Sequence, residues 1–183
     1  MPSPPDIVFS GINIGPNLGR DIYYSGTVAG AKEASLSNIP AVAVSLASFE
    51  SSNVDYQQVK TLFYQIAAIL LQQRIPEGVF LNVNLPYTSK EPCRGVKVVP
   101  LDMEATRYRY VGLNDPQGHV YYWLKDDYQQ LDVLKKGNDF RVLRDGFVTV
   151  SPVEMKWNQK RRTNQMDKWF QAFNEKKEEF FHV

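Results

Sequence analysis

"SGINIGPNLGRDIYYSGTVAGAKEA" (residues 10–34) sets Asn and Gly at short intervals and then a Ser-Gly-Thr step directly before an alanine-rich stretch. Just upstream, "IVF" (7–9) has the β-branched apolar character of a buried strand. The stretch therefore reads as a strand ending near Ser10, a loop with Gly11, Gly15 and Gly19, and a helix opening at about Ser25-Gly26-Thr27. In that helix Ala29, Gly30, Ala31 and Ala34 supply small side chains that let it lie close on a sheet. Ligands in open α/β sheets collect outside the carboxyl ends of strands, and glycines let the backbone approach them closely.

Working outward, "AVAVSL" (41–46) and "FLNVNL" (80–85) are further strand-length apolar runs. Between them, in "NVDYQQVKTLFYQIAAILLQQR" (53–74), Val59, Leu62, Phe63, Ile66 and Leu70 fall on one face of an amphipathic helix. Strand, helix and strand in that order predict a layered α/β fold with parallel strands. The second half differs. A short strand is expected over 96–101, and "RYRYVGLNDPQGHVYYWL" (107–124) places two aromatic-rich arms around Asn114-Asp115-Pro116-Gln117-Gly118, a hairpin signal. Tyr108, Tyr110, Tyr121, Tyr122 and Trp123 on those arms could meet a subunit or a ligand, although aromatic cross-strand pairs more often simply stabilise a hairpin. "GFVTVSPV" (146–153) reads as a strand, and "TNQMDKWFQAFNEKK" (163–177) as a helix with Met166, Trp169, Phe170 and Phe173 on one stripe and a Lys-rich end.

The 183 residues, 43% of them hydrophobic, suffice for one core and contain no repeat, low-complexity tract or linker. A net charge of +1 gives no field for nucleic acid, and the basic "KWNQKRR" (156–162) reads as a solvated connector. The lone Cys93 cannot form an internal disulfide, and "MPSPPDIVFS" has neither the basic nor the apolar region of a secretory signal. No run approaches the roughly 20 apolar residues of a membrane span. A soluble, cytoplasmic protein is expected, without membrane or nucleic-acid partners.

The loop and helix start of residues 10–34 carry the candidate chemistry. Free N–H groups at a helix N-terminus favour an anion such as phosphate, to which the Ser25 and Thr27 hydroxyls could add hydrogen bonds. Asn13 and Asn17 offer neutral oxygens of the kind hard divalent cations accept. The same residues also suit an ordinary loop with a Ser N-cap. The phosphate loop ending in Gly-Lys-Ser/Thr is not matched, because Gly26 is followed by Thr27, and the dinucleotide glycine spacing is lacking.

"DIVFSGINIGPNLGRDIYYSGTVAGAKEASLSNIPAVAVSL" (6–46) closely resembles the central signature of the SurE family, stationary-phase survival proteins that are metal-dependent 5′-nucleotidases. "FLNVNLP" (80–86), "RDGFVTVSP" (144–152) and Thr163-Asn164 look like family segments in the right order. The resemblance implies a three-layer α/β/α sandwich with a mostly parallel sheet, a protruding β-hairpin and a C-terminal helix, the last two used in dimer or tetramer contacts. It also implies hydrolysis of nucleoside 5′-monophosphates, or other phosphomonoesters, with a divalent cation, Mg²⁺ or Mn²⁺. By resemblance Asn13 is a metal ligand and Ser25, Gly26 and Thr27 lie at the phosphate, while Asn17 and Asp21 shape the loop or meet the substrate.

The family's Asn-Asp-Asp-Gly carboxylates have no counterpart in this sequence, and neither does the later Ser of the metal site. Asp126-Asp127 follows the hairpin and lacks the Gly, and His119 and His182 do not assemble an imidazole site. The expectation is one domain over 1–183, shortened at its N-terminus. It comprises a partial α/β core (1–101), a hairpin and return strand (102–153) and a helical extension (154–183). Its catalytic carboxylates are absent and its own turnover is weak or nil. The alternative is a non-catalytic paralogue that binds phosphate or nucleotide and associates with a full-length partner.

Overall fold

The computed structural model describes residues 3–48, 54–87, 93–104, 108–126, 138–155 and 166. Its elements in chain order are β1 (Val8–Ile14), a 3-10 turn (Gly19–Tyr23), α1 (Gly26–Leu36), β2 (Ala41–Ala47), α2 (Tyr56–Leu70), β3 (Val79–Pro86) and β4 (Val96–Val98). The hairpin strands β5 (Tyr108–Asn114) and β6 (Val120–Asp126), helix α3 (Asp139–Arg144) and β7 (Val148–Glu154) follow. The main sheet runs β1-β2-β3-β7-β4. All its pairings are parallel except β3 with β7, where Val83 sits opposite Val150.

Alternation along the strands sends apolar side chains to both faces of this sheet. Val42, Val44 and Leu46 join Val83, Leu85, Val148 and Val150 on the face covered by Val59 and Ile66 of α2. Leu62, Phe63 and Leu70 complete the stripe expected of α2, with Phe63 edge-on to Phe9 at a centroid distance of 5.5 Å. On the other face Ala41, Ala43 and Phe80 pack against Val28 and Ala31 of α1, and Ala34 borders them. Helices on both faces make the three-layer α/β/α sandwich.

The small residues of α1 let it approach closely. A Cβ at Gly30 would stand 2.6 Å from the Ser10 Oγ. Ala29, expected on that contact face, is exposed instead. The Asp55 carboxylate caps α2 by accepting the Gln57 and Gln58 N–H groups at 2.9 and 3.2 Å.

β5 and β6 form a separate two-stranded sheet. Its turn is held by the Asp115 carboxylate, which accepts the Gln117 and His119 N–H groups and meets His119 Nδ1 at 2.9 Å. Tyr110, Tyr122 and Trp123 are 74%, 70% and 62% exposed, so the arm stands clear of the core, and they lie opposite Leu124, Gly112 and Val111, so these aromatics do not pair directly with one another across the strands. The helix expected over 163–177 lies outside the described residues apart from Met166, which is helical. Asp127, residues 156–162 and His182 also lie outside them.

Candidate functional site

β1 does not run straight into the loop. Its register with β2 shifts between Ser10 and Asn13. Gly11 lies there at φ +133, and a Cβ on it would collide with the Val44 carbonyl oxygen, so the residue must be glycine. Beyond the shift, Asn13 Nδ2 donates to the Gly15 carbonyl at 2.8 Å. The donor end of that amide is thereby engaged, and its acceptor oxygen is the end left for a cation or a substrate donor.

The next turn of chain is pinned from beneath by a polar patch on the α1 face of the sheet. Asn17 is 6% exposed, and its side-chain amide donates to the Ser45 Oγ at 2.6 Å. Its backbone N–H donates to Asn84 Oδ1 at 2.8 Å, and its carbonyl accepts from Asn82 Nδ2 and Asn84 Nδ2 at 2.8 and 3.0 Å. Asn84 thus treats Asn17 as a neighbouring strand would, giving one donor and one acceptor to its backbone. These bonds tie Asn17 to the sheet beneath the loop.

A second clamp comes from the far end of the chain. Asp139, fully buried at the start of α3, accepts the Gly19 N–H at 2.7 Å through Oδ2. Its Oδ1 accepts the N–H groups of Asp102 and Phe140 at 3.0 and 3.1 Å. Burial pushes the Asp139 carboxyl up, against the pull of those three N–H groups. Gly19 lies at φ +47, and a Cβ there would meet the Asp102 carbonyl oxygen and come within 2.9 Å of Phe140. Leu18 is wholly buried against Phe140 and Leu143.

From this fixed base the 3-10 turn leads to α1. Asp21 lies in the turn with one carboxylate oxygen buried. Ser25 is the N-cap, its Oγ accepting the Val28 N–H at 3.2 Å and its carbonyl the Ala29 N–H at 2.9 Å. The N–H groups of Gly26 and Thr27 take no backbone or side-chain partner among the described residues. A Cβ at Gly26 would find nothing within 4 Å, so the approach to the helix start is open. An anion placed there would meet two free N–H groups and the positive end of an 11-residue helix.

Cation chemistry is less well provided. Among the described residues no three His, Cys, Asp or Glu side chains stand close enough to hold a metal ion. The single neutral amide oxygen of Asn13 is a thin donor set for a hard divalent cation, which takes about six or more oxygens, several of them carboxylate. Asp126 is exposed at the C-terminal end of β6. A cleft of about 570 Å³ on the α2 side includes Gln57, Gln58, Tyr87 and Arg94 but none of the loop residues above. Its polar groups are partly engaged, with Arg94 donating to the Asp145 carbonyl and stacking on Phe147.

The family model described as "Survival protein SurE" matches residues 1–108. The chain belongs to the SurE family. A 5′-nucleotidase SurE of Symbiobacterium thermophilum is 37% identical over 173 residues, covering 94% of this chain and 66% of that protein. One of Desulforamulus reducens is 39% identical over 159 residues, covering 85% of this chain and 60% of that protein. The crystal structure of the SurE protein from Aquifex aeolicus superposes with a TM-score of 0.78 at 33% identity, over 90% of this chain and 65% of that one. The chain thus spans less than two thirds of the length of these SurE relatives.

Sequence reasoning missed the SurE loop's supports, Ser45, Asn82, Asn84 and Asp139. The two asparagines do leave a trace, because "FLNVNL" places polar residues on one face of a strand otherwise read as buried. Asp139 leaves none that points to Gly19.

Proposed function

We propose that this SurE chain holds the phosphate of a nucleoside 5′-monophosphate, or of another phosphomonoester, at the start of α1. Ser25, Gly26 and Thr27 contact it, and Asn13 would hold the divalent cation, Mg²⁺ or Mn²⁺, that the SurE family implies. The observation that carries this reading is the open approach over Gly26 at a helix N-terminus whose loop is clamped from below by Asn17 and Gly19. A rigid backbone donor set aimed at a phosphoryl group stabilises charge there without reorganisation. The bound cation would add Lewis-acid polarisation of a phosphoryl oxygen. The reaction proposed is phosphomonoester hydrolysis to alcohol and phosphate, as in the named 5′-nucleotidase relatives.

The donor set bears on rate. With Asn13 as the one ligand identified, metal affinity is weak and turnover by this chain alone is slow. That favours, as a second reading, a phosphate-binding partner of a fuller SurE chain. The exposed hairpin aromatics suit association with another SurE copy, and the single exposed thiol of Cys93 suits a reducing, cytoplasmic setting.

The test is phosphate release from AMP and from p-nitrophenyl phosphate with Mn²⁺, Mg²⁺ or EDTA, beside inorganic-phosphate binding by calorimetry, for the native chain and Asn13→Ala. Phosphate binding with little metal-dependent release is expected. Fast release that is lost in Asn13→Ala would instead mean that the loop assembles a complete metal site. Absence of phosphate binding would remove the reading.

A further inference from the structure

Two tyrosines stand immediately before the helix start and take no part in the loop's support. Tyr23 is 66% and Tyr24 87% exposed. Neither ring makes a hydrogen bond or ring contact among the described residues, whereas the neighbouring Ile22 and Val28 are 8% and 3% exposed in the core. The Tyr24 N–H donates to the Asp21 carbonyl at 3.0 Å, and Ser25 next to it is fixed as the N-cap. Two large aromatic side chains are therefore carried in water on backbone that is held on both sides.

Resting on the phosphate reading above, we infer that Tyr23 and Tyr24 form the nucleobase platform of the same site. A purine or pyrimidine ring stacks on them while its 5′-phosphate meets Ser25, Gly26 and Thr27. Stacking needs a planar π-face, little conformational freedom to lose and no base-edge readout, and a tyrosine on fixed backbone supplies all three. The platform therefore prefers nucleotides over sugar phosphates without choosing strongly among bases. Tyr24, the more exposed and directly joined to Ser25, is its principal member.

Calorimetry with AMP, adenosine, ribose 5-phosphate and inorganic phosphate tests this on the native chain, Tyr24→Ala, Tyr24→Phe and the Tyr23→Ala/Tyr24→Ala double variant. AMP is expected to bind at least about fivefold more tightly than ribose 5-phosphate, the low end of base–aromatic stacking. That preference is lost in the double variant, reduced in Tyr24→Ala and kept in Tyr24→Phe, with ribose 5-phosphate affinity unchanged throughout. Equal affinities for AMP and ribose 5-phosphate in the native chain overturn the inference. So does a loss in Tyr24→Ala shared by every ligand, or a change in oligomeric mass with no change in base preference. Tyrosine-dependent adenosine binding without phosphate binding would uphold the platform while removing the phosphate site.

Discussion

The Asp139 carboxylate accepts the Gly19 N–H at 2.7 Å across 120 residues of chain, joining the start of α3 to the loop below the candidate phosphate site. Asp139→Ala removes a buried acceptor shared by three N–H groups. Leaving such donors unpaired costs about 1–3 kcal/mol or more. Urea denaturation is expected to register that loss, and inorganic-phosphate affinity should fall with it. Unchanged stability would mean that the carboxylate is not engaged in solution.

The same carboxyl gives stability a pH dependence. Its native pKa is raised, chiefly by burial, so the folded chain holds the proton more readily than the unfolded one. Stability should therefore fall as pH rises from the unfolded value near 3.9 through the raised native value, and then level off. Urea midpoints followed across this window for native and Asp139→Asn chains isolate the effect, because the variant cannot titrate there. Parallel curves would assign the slope to other groups.

Asn84 serves the Asn17 backbone as both donor and acceptor. Asn84→Ala forfeits both bonds and is expected to cost about 1–3 kcal/mol. Asn84→Asp keeps an acceptor for the Asn17 N–H but sets a carboxylate against the Asn17 carbonyl in a fully buried position, so at neutral pH it should be the worse of the two. Denaturation of the two variants side by side checks the order.

Legibility from sequence divided along one line. "AVAVSL", the apolar face of α2 and the turn Asn114–Gly118 are local patterns, and each became the expected element at nearly the expected bounds. The β7 strand was legible but its direction was not, because nothing within "GFVTVSPV" records that β3 runs against it. The start of α1 was legible from Ser25-Gly26-Thr27, while its supports Asn82, Asn84 and Asp139 act over separations of 65, 67 and 120 residues. Hydrogen bonds between single polar groups leave no periodic signature. The outward turn of Ala29 likewise depends on the precise rotation of α1 over the sheet.

Two glycines of the loop should respond oppositely to alanine. At Gly19 the positive φ and the neighbouring Asp102 carbonyl make Gly19→Ala strained, with an expected loss of about 1–3 kcal/mol. At Gly26 the helix has room, so Gly26→Ala should leave stability unchanged or raise it by up to about 1 kcal/mol while weakening phosphate binding. Thermal melts and phosphate calorimetry on both variants separate fold from site. Undiminished phosphate affinity in Gly26→Ala would move the anion elsewhere.

The hairpin arm supplies a prediction about association. Tyr110, Tyr122 and Trp123 are exposed, and replacing Tyr110 and Trp123 by Lys should lower the mass measured by light scattering without lowering the melting temperature of the core. An unchanged mass would leave the arm outside any interface between copies.

The Gly19–Asp139 bond also bears on how the chain is made. On a ribosome, residues 10–27 emerge long before Asp139 does, so the nascent loop has Asn82 and Asn84 to grip it only after the third strand arrives, and its last fastening only after α3. Closing so long a loop is entropically slow, and contacts of this span form late in folding. A ligand-ready loop is therefore one of the last parts of the molecule to mature. An arrest peptide or a premature stop placed between β3 and α3 should yield chains with a paired β1-β2-β3 sheet and weakened phosphate binding.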